Sequence, residues 1–332
     1  MLGGTRMPTR ASSPLIGSQR WRLPRPVIAG AARSRRARPR GSGPVAARAG
    51  VSSSPVRMRC GAPGQEDFMH QHEIEGRIAS FPLWHYEFDL RGLKTPLYSP
   101  VLANRHAQRA RYFFDPLVEY FGGSLTGKRV LDLGCNAGFW ALKAIEAGCD
   151  FVLGVDARPA NVEQARLVFA AEEVPPDRFQ FLVDDVLRLE VGRYAPFDIV
   201  LNLGLLYHVS KPVELLEVAA AANSDVLLVD TVISPLAGCC LELTSESIES
   251  PLNAVGSEMV VHPTASAVIE MTRMLGYHTV ILEPDLTDAA GCADYANATR
   301  RAFVCAKRSD LTGFRTERLH RLETLQREVS RC

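Results

Sequence analysis

The 332-residue sequence contains no uninterrupted run of about 18 apolar residues, and its eight cysteines form no CxxC pair. A membrane-spanning helix needs about 20 apolar residues, so the first absence excludes an integral membrane helix. The cysteine spacing does not match a cysteine-based metal site, and Cys135, Cys149 and Cys305 lie in apolar stretches typical of reduced thiols, which argues against a disulfide-stabilised fold. With 46% hydrophobic and 23% charged residues, the chain can still bury a sizeable core.

Acidic residues are missing from residues 1–64, which hold 13 Arg and no Lys. Because this Arg-, Ser- and Pro-rich segment shows no apolar periodicity, we predict that it is disordered. Two interpretations stay open. The segment is an organelle transit peptide, which implies a plastid or mitochondrial protein. Alternatively, the start codon is assigned too early and Met69 is the true start, which fits a cytoplasmic bacterial protein.

The rest of the chain is acidic. Without residues 1–64, 25 basic residues stand against 37 acidic ones, a net charge of −12. Nucleic acids are bound mainly through Lys and Arg on the protein surface, so this balance counts against a nucleic-acid partner.

From Leu125 the chain alternates short β-branched runs with longer helical patterns, which is typical of an α/β fold with a parallel sheet. Seven strands are predicted, at residues 129–133, 151–155, 179–183, 198–203, 224–231, 278–282 and 302–306. Four helices lie between them, at residues 138–147, 160–173, 212–222 and 264–275. The predicted organisation is a leader (1–64), a helical lead-in or cap (65–122), the α/β domain (123–310) and a C-terminal helix (311–332).

The most informative stretch is residues 130–140, VLDLGCNAGFW, where a buried strand leads into a glycine turn and a helix. Ligands bind outside the carboxyl ends of such strands, and Gly134 and Gly138 let the backbone approach a ligand closely. A dinucleotide-binding loop reads GxGxxG, whereas Asn136 and Phe139 replace its second and third glycines here. A nicotinamide-dependent oxidoreductase built on the same sheet is therefore disfavoured.

This stretch resembles motif I of the class I S-adenosylmethionine-dependent methyltransferases: an apolar strand, an acidic residue, any residue, Gly, three residues and Gly. The resemblance implies a Rossmann-like, seven-stranded, mostly parallel sheet with helices on both faces and an antiparallel last strand. It also implies S-adenosylmethionine as the cofactor. The loop of Gly134, Asn136 and Gly138 would surround the methionine part, and Asp132 would hold the ammonium group directly or through water.

Later strand ends carry further polar residues in the order that this family shows. Asp156 closes the second predicted strand, and a carboxylate there can accept hydrogen bonds from both ribose hydroxyls. By resemblance, Asp185 accepts from the adenine amino group and the Val186 backbone N–H meets a ring nitrogen, although Asp184 could take the part of Asp185. Asn202 ends the fourth strand beside the transferred methyl group.

The stretch GLLYH at residues 204–208 narrows the resemblance to the group that contains the bacterial tRNA wobble-uridine carboxymethyltransferase and its small-molecule relatives. Three functions stay open: methyl transfer to O, S or N of a small, anionic acceptor, tRNA wobble-uridine methyl or carboxymethyl transfer, and regulation by a non-catalytic cofactor-binding protein. The acidic folded part favours the first. The acceptor and the oligomeric state are left open.

The candidate catalytic residues are His208, as a general base or as a brace of its loop, and Tyr207, which would pack against the cofactor or orient the acceptor. Arg91, Lys94 and Tyr98 are predicted to form a lid segment that binds an anionic acceptor. The long connection over residues 234–263 contains Glu246 and Glu249, and we predict that it is an unstructured lid or binding loop.

Overall fold

The computed structural model describes residues 69–329, which belong to the second of the two units, residues 1–63 and 64–332, into which the chain divides. The predictions for residues 1–64 and the last residues of the predicted C-terminal helix therefore lie outside the described residues. Strands are numbered along the chain: β1 Asp89–Leu90, β2 Leu93–Lys94, β3 Arg129–Leu133, β4 Phe151–Asp156, β5 Phe179–Val183, β6 Phe197–Leu203, β7 Asn223–Val232, β8 Leu241–Ser245, β9 Met259–Pro263, β10 His278–Leu282, β11 Arg300–Ala306 and β12 Thr316–Glu317.

The helices are numbered in the same way: α1 Gln71–Ser80, α2 Val101–Arg109, α3 Asp115–Tyr120, α4 Phe139–Glu146, α5 Pro159–Ala171, α6 Pro212–Ala222, α7 Ala265–Met274, α8 Ala293–Ala296 and α9 Leu319–Val329. A π-helical turn, Ala110–Phe114, joins α2 to α3, and a 3₁₀ turn, Leu206–His208, follows β6. Within residues 69–329, no helix is both long enough and apolar enough to cross a bilayer.

The main sheet has eight strands in the order β12-β10-β11-β7-β6-β3-β4-β5. Strands β3 to β7 are mutually parallel, β11 is antiparallel to β7 and β10, and β12 is antiparallel to β10. The α/β fold, the seven predicted strands and the antiparallel last one are confirmed. The eighth strand, β12, was not predicted because it is only two residues long.

Two apolar clusters cover the faces of this sheet. Alternation along β3 directs Val130 to one cluster and Leu131 and Leu133 to the other. The first cluster includes buried residues of α1, α4 and α5, and the second includes residues of α6, α7 and α9. Burial on both faces explains the nearly continuous apolar runs of the central strands. The strand order reverses between β3 and β6, so a crevice opens at their carboxyl ends.

Three segments differ from their predictions. Of the C-terminal helix predicted over residues 311–332, residues 311–318 form turns and β12, and α9 begins only at Leu319. The lead-in contains the short hairpin β1–β2 besides its helices. The connection over residues 234–263 was expected to be unstructured, and this is wrong: β8 and β9 pair as an antiparallel hairpin with Leu243 opposite Val261. The Val261 backbone N–H donates to the Val209 carbonyl at 3.1 Å, so β9 is tied to the segment that follows β6. We call residues 241–263 the insertion hairpin.

Candidate active site

A cavity of about 680 Å³ lies at the carboxyl ends of β3, β4 and β6, within the size range of small-molecule sites. It contains most of the residues predicted for the site. Eight of them line it: Tyr98, Gly134, Asn136, Asp156, Asp185, Val186, Tyr207 and His208.

The loop between β3 and α4 needs residues that tolerate a left-handed backbone. Gly134, Asn136 and Gly138 have φ values of 71°, 50° and 79°, and asparagine is among the few non-glycine residues enriched in this region. Gly134 lines the cavity. Gly138 immediately precedes α4 and lies against α5, where an added Cβ would be 3.1 Å from the Ala165 Cβ. Gly138 therefore supports the loop from behind.

Asp156, the last residue of β4, holds the two loops that follow β3 and β4. Its carboxylate accepts hydrogen bonds from the Asn136 backbone N–H at 2.9 Å, the Arg158 backbone N–H at 2.9 Å and the Asn161 side-chain amide at 3.1 Å. Burial raises its pKa, and these hydrogen bonds oppose that rise. The carboxylate has about four lone-pair sites, so one remains for a ligand.

Asp132 and Asn202 lie behind the cavity wall and do not line it in the described part of the chain. Asp132 is 1% exposed, its Oδ2 atom has no hydrogen-bonding partner among residues 69–329, and burial together with Asp156 raises its pKa to about 7. Both polar side-chain atoms of the fully buried Asn202 also have no partner among the described residues. Such orphaned groups are uncommon in native interiors and mark places where water or a ligand is expected.

The loop after β5 forms another part of the wall. Asp185 and Val186 line the cavity, whereas Asp184 does not and instead accepts a hydrogen bond from the Asp185 backbone N–H at 2.8 Å, within the described chain. The Asp185 side chain is about half exposed, and Val186 is buried. A polar acceptor beside an apolar side chain suits the edge and face of a purine ring.

Three arginines line the opposite part of the cavity: Arg105 and Arg109 of α2 and Arg300 of β11. The fully buried Asp230 of β7 forms ion pairs with Arg109 and Arg300, and each guanidinium nitrogen lies 2.8 Å from its carboxylate. Arg105 forms a bidentate pair with Asp294, at 2.8 and 2.6 Å. We call these five residues the arginine cluster. Its three cations exceed its two carboxylates by one charge, so the cluster itself carries a net positive charge.

Sequence reasoning missed this cluster. Arg105 and Arg109 are spaced i, i+4, which places both guanidinium groups on one helix face, and Asp230 stands inside the apolar run LLVDTV, where a buried carboxylate needs a cation. These patterns indicate that the arginines and the aspartate need oppositely charged partners, but they do not identify the partner residues. Burial opposes ionisation of Asp230, but Arg300 and Arg109 outweigh it and lower its pKa to about 2.

Arg91 and Lys94, predicted to bind the acceptor, do not line the cavity in the described structure. The β1–β2 turn directs them elsewhere. Arg91 donates to the Ala171 carbonyl at 3.0 Å and pairs with Glu173, and Lys94 pairs with Glu87 at 3.0 Å. Of that predicted lid segment, only Tyr98 reaches the cavity.

Tyr207 and His208 lie in the 3₁₀ turn after β6. The Tyr207 hydroxyl accepts a hydrogen bond from Arg300 at 3.2 Å, and the two rings of the turn are 4.0 Å apart. The His208 Nδ1 atom lies 2.6 Å from a carboxylate oxygen of Glu246, which follows β8. Burial lowers the His208 pKa, and Glu246 opposes that shift. His208 therefore tends to be neutral near neutral pH.

A second imidazole, that of His85, also lines the cavity and was not among the predicted site residues. It stacks on Tyr98 at 5.9 Å and meets the His106 ring at 4.9 Å. Burial, with Arg109 and Arg105, lowers its pKa to about 3, so the ring is neutral. Its neighbour Trp84 is fully buried and belongs to the core.

Comparison with known proteins supports the class that motif I indicates. Residues 130–224, less than a third of the chain, match a family model described as a methyltransferase domain. The N-terminal domain of EvdMO1, solved with SAH bound, superposes with a TM-score of 0.57 at 22% identity, over 76% of this chain and all of that one. That similarity shows the shared fold.

Two curated relatives are similar over shorter stretches. The tRNA U34 carboxymethyltransferase of Pseudomonas putida (strain GB-1) is 35% identical over 92 residues, 27% of this chain and 28% of that protein. The ubiquinone biosynthesis O-methyltransferase of Acinetobacter baylyi is 33% identical over 101 residues, 30% of this chain and 41% of that protein. The chain thus spans less than half the length of either relative.

Residues 130–224 therefore match a methyltransferase domain, which is the class that motif I indicates. The predicted class, and with it the predicted kind of cofactor, is confirmed. The residues present fit that group, because the glycine loop opens onto a cavity that also holds acidic groups at the ends of β4 and β5.

Proposed function

We propose that this protein transfers a methyl group from S-adenosylmethionine to a small acceptor that carries a carboxylate or another anionic group. One observation carries the proposal: a single cavity joins the glycine loop and the Asp156 and Asp185 carboxylates to the positive arginine cluster. The first set suits the hydroxyl, amino and ammonium donors of the cofactor. The second suits an anion, because guanidinium groups bind carboxylates and phosphates.

Each predicted cofactor residue has a role that its position allows. Asp156 would accept a hydrogen bond from the ribose, Asp185 and Val186 would face the adenine, and Gly134 and Asn136 would flank the methionine part. When bound, the cofactor supplies a methyl carbon attached to a positively charged sulfur. The protein then has to place the acceptor in line with that carbon, and positioning of this kind accounts for much of the rate.

Two buried residues would act from behind the wall. Asp132 has an unpartnered oxygen in the described structure, which suits a water-mediated contact to the cofactor ammonium group. Asn202, at the end of β6, would fix an ordered water near the transferred group. Gly138 keeps the loop against α5.

Tyr207 and His208 stand where the two ends of the cavity meet. The Tyr207 hydroxyl is held by Arg300, so the ring can orient an acceptor whose anion lies near the arginine cluster. His208 is a candidate base for a protic acceptor. Tyr98 would close the acceptor side.

Carboxymethyl transfer to tRNA is a second candidate, favoured by the same excess of positive charge. The guanidinium groups could hold a carboxylate on the cofactor as well as one on the acceptor. A tRNA substrate agrees less well with the net charge of −12 over residues 65–332, which contain 25 basic and 37 acidic residues.

Calorimetric titration of the full chain with S-adenosylmethionine, its carboxylated analogue and S-adenosylhomocysteine separates these candidates. Preference for the ordinary cofactor supports methyl transfer, and preference for the carboxylated form supports carboxymethyl transfer. Tight binding without turnover of any anionic acceptor supports a non-catalytic regulator. Absence of binding by all three contradicts the proposal.

Asp156→Ala should weaken S-adenosylmethionine binding by about 10- to 100-fold, the loss of one hydrogen bond to a charged acceptor at about 1.5–3 kcal/mol. The measurement is the calorimetric dissociation constant at pH 7.5. Asp177→Asn is the control, because Asp177 is exposed and does not line the cavity in the described structure. Unchanged affinity in Asp156→Ala would rule out Asp156 as the ribose ligand.

A further inference from the structure

The insertion hairpin places one carboxylate inside the cavity, that of Glu246. Its side chain and that of His208 are each 16% exposed, and the Nδ1···Oε2 distance is 2.6 Å. A carboxylate only accepts hydrogen bonds, so the proton of this contact belongs to Nδ1 when His208 is neutral. The other ring nitrogen, Nε2, then carries a lone pair, and no described residue bonds to it.

Several hydrogen bonds fix Glu246 in this place. Its Oε2 atom also accepts from the Ala254 backbone N–H at 2.9 Å, and its own backbone N–H donates to the Glu258 carbonyl at 2.8 Å. Arg158, in the loop after β4, donates a hydrogen bond to the Asn253 carbonyl at 2.6 Å. The turn of the hairpin is thus fastened both to its own strand ends and to the loop after β4.

The groups around His208 keep its imidazole neutral and ready to accept a proton. Burial lowers its pKa most, Glu246 from the hairpin raises it, and Arg300 from β11 and Arg158 from the loop after β4 lower it. The remaining titratable groups near it are His85, the adjoining Tyr207 and, beyond Tyr207, His262 of β9.

We propose that Glu246 is the positioning residue of His208 and that the pair serves a hydroxyl acceptor. This inference rests on the proposed methyl transfer. A hydroxyl must lose its proton as it attacks, whereas a thiol or an amine can attack without a base. A buried histidine held in one tautomer by a carboxylate is suited to such a proton transfer.

The transfer balances as follows. The acceptor oxygen forms the bond to the methyl carbon, the carbon–sulfur bond breaks with its electron pair on sulfur, and the hydroxyl proton passes to His208 Nε2. The resulting imidazolium is stabilised by the Glu246 carboxylate at Nδ1. Solvent then takes the proton when the product leaves.

The tautomer can be tested without turnover. We expect the ¹⁵N imidazole spectrum of the ligand-free full chain at pH 7.5 to show His208 with a protonated Nδ1 and an unprotonated Nε2, its signals assigned by their loss in His208→Gln. Glu246→Gln should shift this equilibrium toward the other tautomer, and the matched control Glu249→Gln should not, because Glu249 is exposed on the same turn. An Nε2-protonated His208, or a tautomer unaffected by Glu246→Gln, overturns the pairing.

Turnover tests the acceptor atom with 4-hydroxybenzoate and 4-mercaptobenzoate as probes. Glu246→Gln should lower kcat for the hydroxyl probe by about 10²-fold, with little change for the thiol probe or in S-adenosylmethionine affinity. Activity requires neutral His208, so it falls as pH drops through the His208 pKa, below 6.5 in the wild type. Glu246→Gln removes a group that raises the His208 pKa, so the fall in activity should occur at lower pH in this variant.

Two results would overturn the assignment of a hydroxyl acceptor: methylation of the thiol probe alone, or an equal fall of kcat on both probes. Failure of the wild type to bind S-adenosylmethionine would instead contradict the proposed function. In that case the imidazole spectrum still decides whether Glu246 holds His208.

Discussion

Asp230→Asn is expected to lower the free energy of unfolding by about 3–5 kcal/mol, the range for removing one partner of a buried ion pair. Asp230 is fully buried and carries hydrogen bonds from Arg109, Arg300 and the Tyr295 hydroxyl. The substitution keeps the shape of the side chain, but it leaves Arg109 without its ion-pair partner and Arg300 with only the Asp294 carboxylate, 3.9 Å away. Urea denaturation at pH 7 measures the difference.

The pH dependence of the unfolding free energy tests whether the Asp230 charge causes this loss of stability. The Asp230 pKa is lowered from 3.8 to about 2, so its stabilising contribution is fully present above pH 3.8 and disappears as pH falls toward 2. The gap between wild type and Asp230→Asn should therefore stay constant from pH 8 to about pH 4. The exposed control Asp177→Asn should lie within about 0.5 kcal/mol of wild type. If Asp230→Asn also changes the free energy of unfolding by no more than about 0.5 kcal/mol, Asp230 does not stabilise the two arginines as proposed.

Asp132→Asn should have the opposite effect on stability, raising the free energy of unfolding at pH 8 by about 1–3 kcal/mol. Burial and the nearby Asp156 raise the Asp132 pKa from 3.8 to about 7, so ionising it in the folded state costs on the order of 4 kcal/mol. Part of that gain is offset because the new amide hydrogens are buried without a partner. The same variant should bind S-adenosylmethionine at least about tenfold more weakly, because it removes the negative charge that we propose interacts with the ammonium group through water.

Asp132→Asn is expected to stabilise the protein because the Asp132 pKa is raised in the folded state. The neutral form is the one that the folded state favours, so wild-type stability falls as pH rises from 3.8 to about 7, and the variant lacks this slope. The advantage of Asp132→Asn should therefore shrink toward pH 4. Thermal unfolding across pH 4–8 checks this, again with Asp177→Asn beside it. An advantage that does not change with pH would show that the Asp132 charge is not its source.

Much of the proposed cofactor end of the cavity could be predicted from the sequence. Gly134, Asn136, Asp156 and Asp185 all lie at strand ends, and in a parallel sheet the carboxyl ends of neighbouring strands meet at one edge. Short β-branched runs between longer helical patterns located the strands, and these local patterns do not depend on distant partners. Motif spacing therefore brought these four residues to one cavity.

The proposed acceptor end of the cavity could not be predicted in this way. Arg109 and Arg300 are 191 positions apart and meet only because α2 packs beside the antiparallel strand β11 and the β7 carboxylate. The sequence instead favoured Arg91 and Lys94, whose turn directs them to Ala171 and Glu87. Any cation can pair with any nearby carboxylate, so the sequence alone does not predict which ion pairs form.

The sequence by itself determined the α/β architecture, the class of enzyme domain and the loop that identifies its cofactor, because period and strand-end chemistry are local. Only the tertiary structure decided that the insertion folds as a hairpin, that Glu246 reaches His208, and that Arg105, Arg109 and Arg300 come together in one part of the cavity wall. Those contacts join segments far apart in the chain, and they form only where packing of the whole domain compensates the cost of burying their charges.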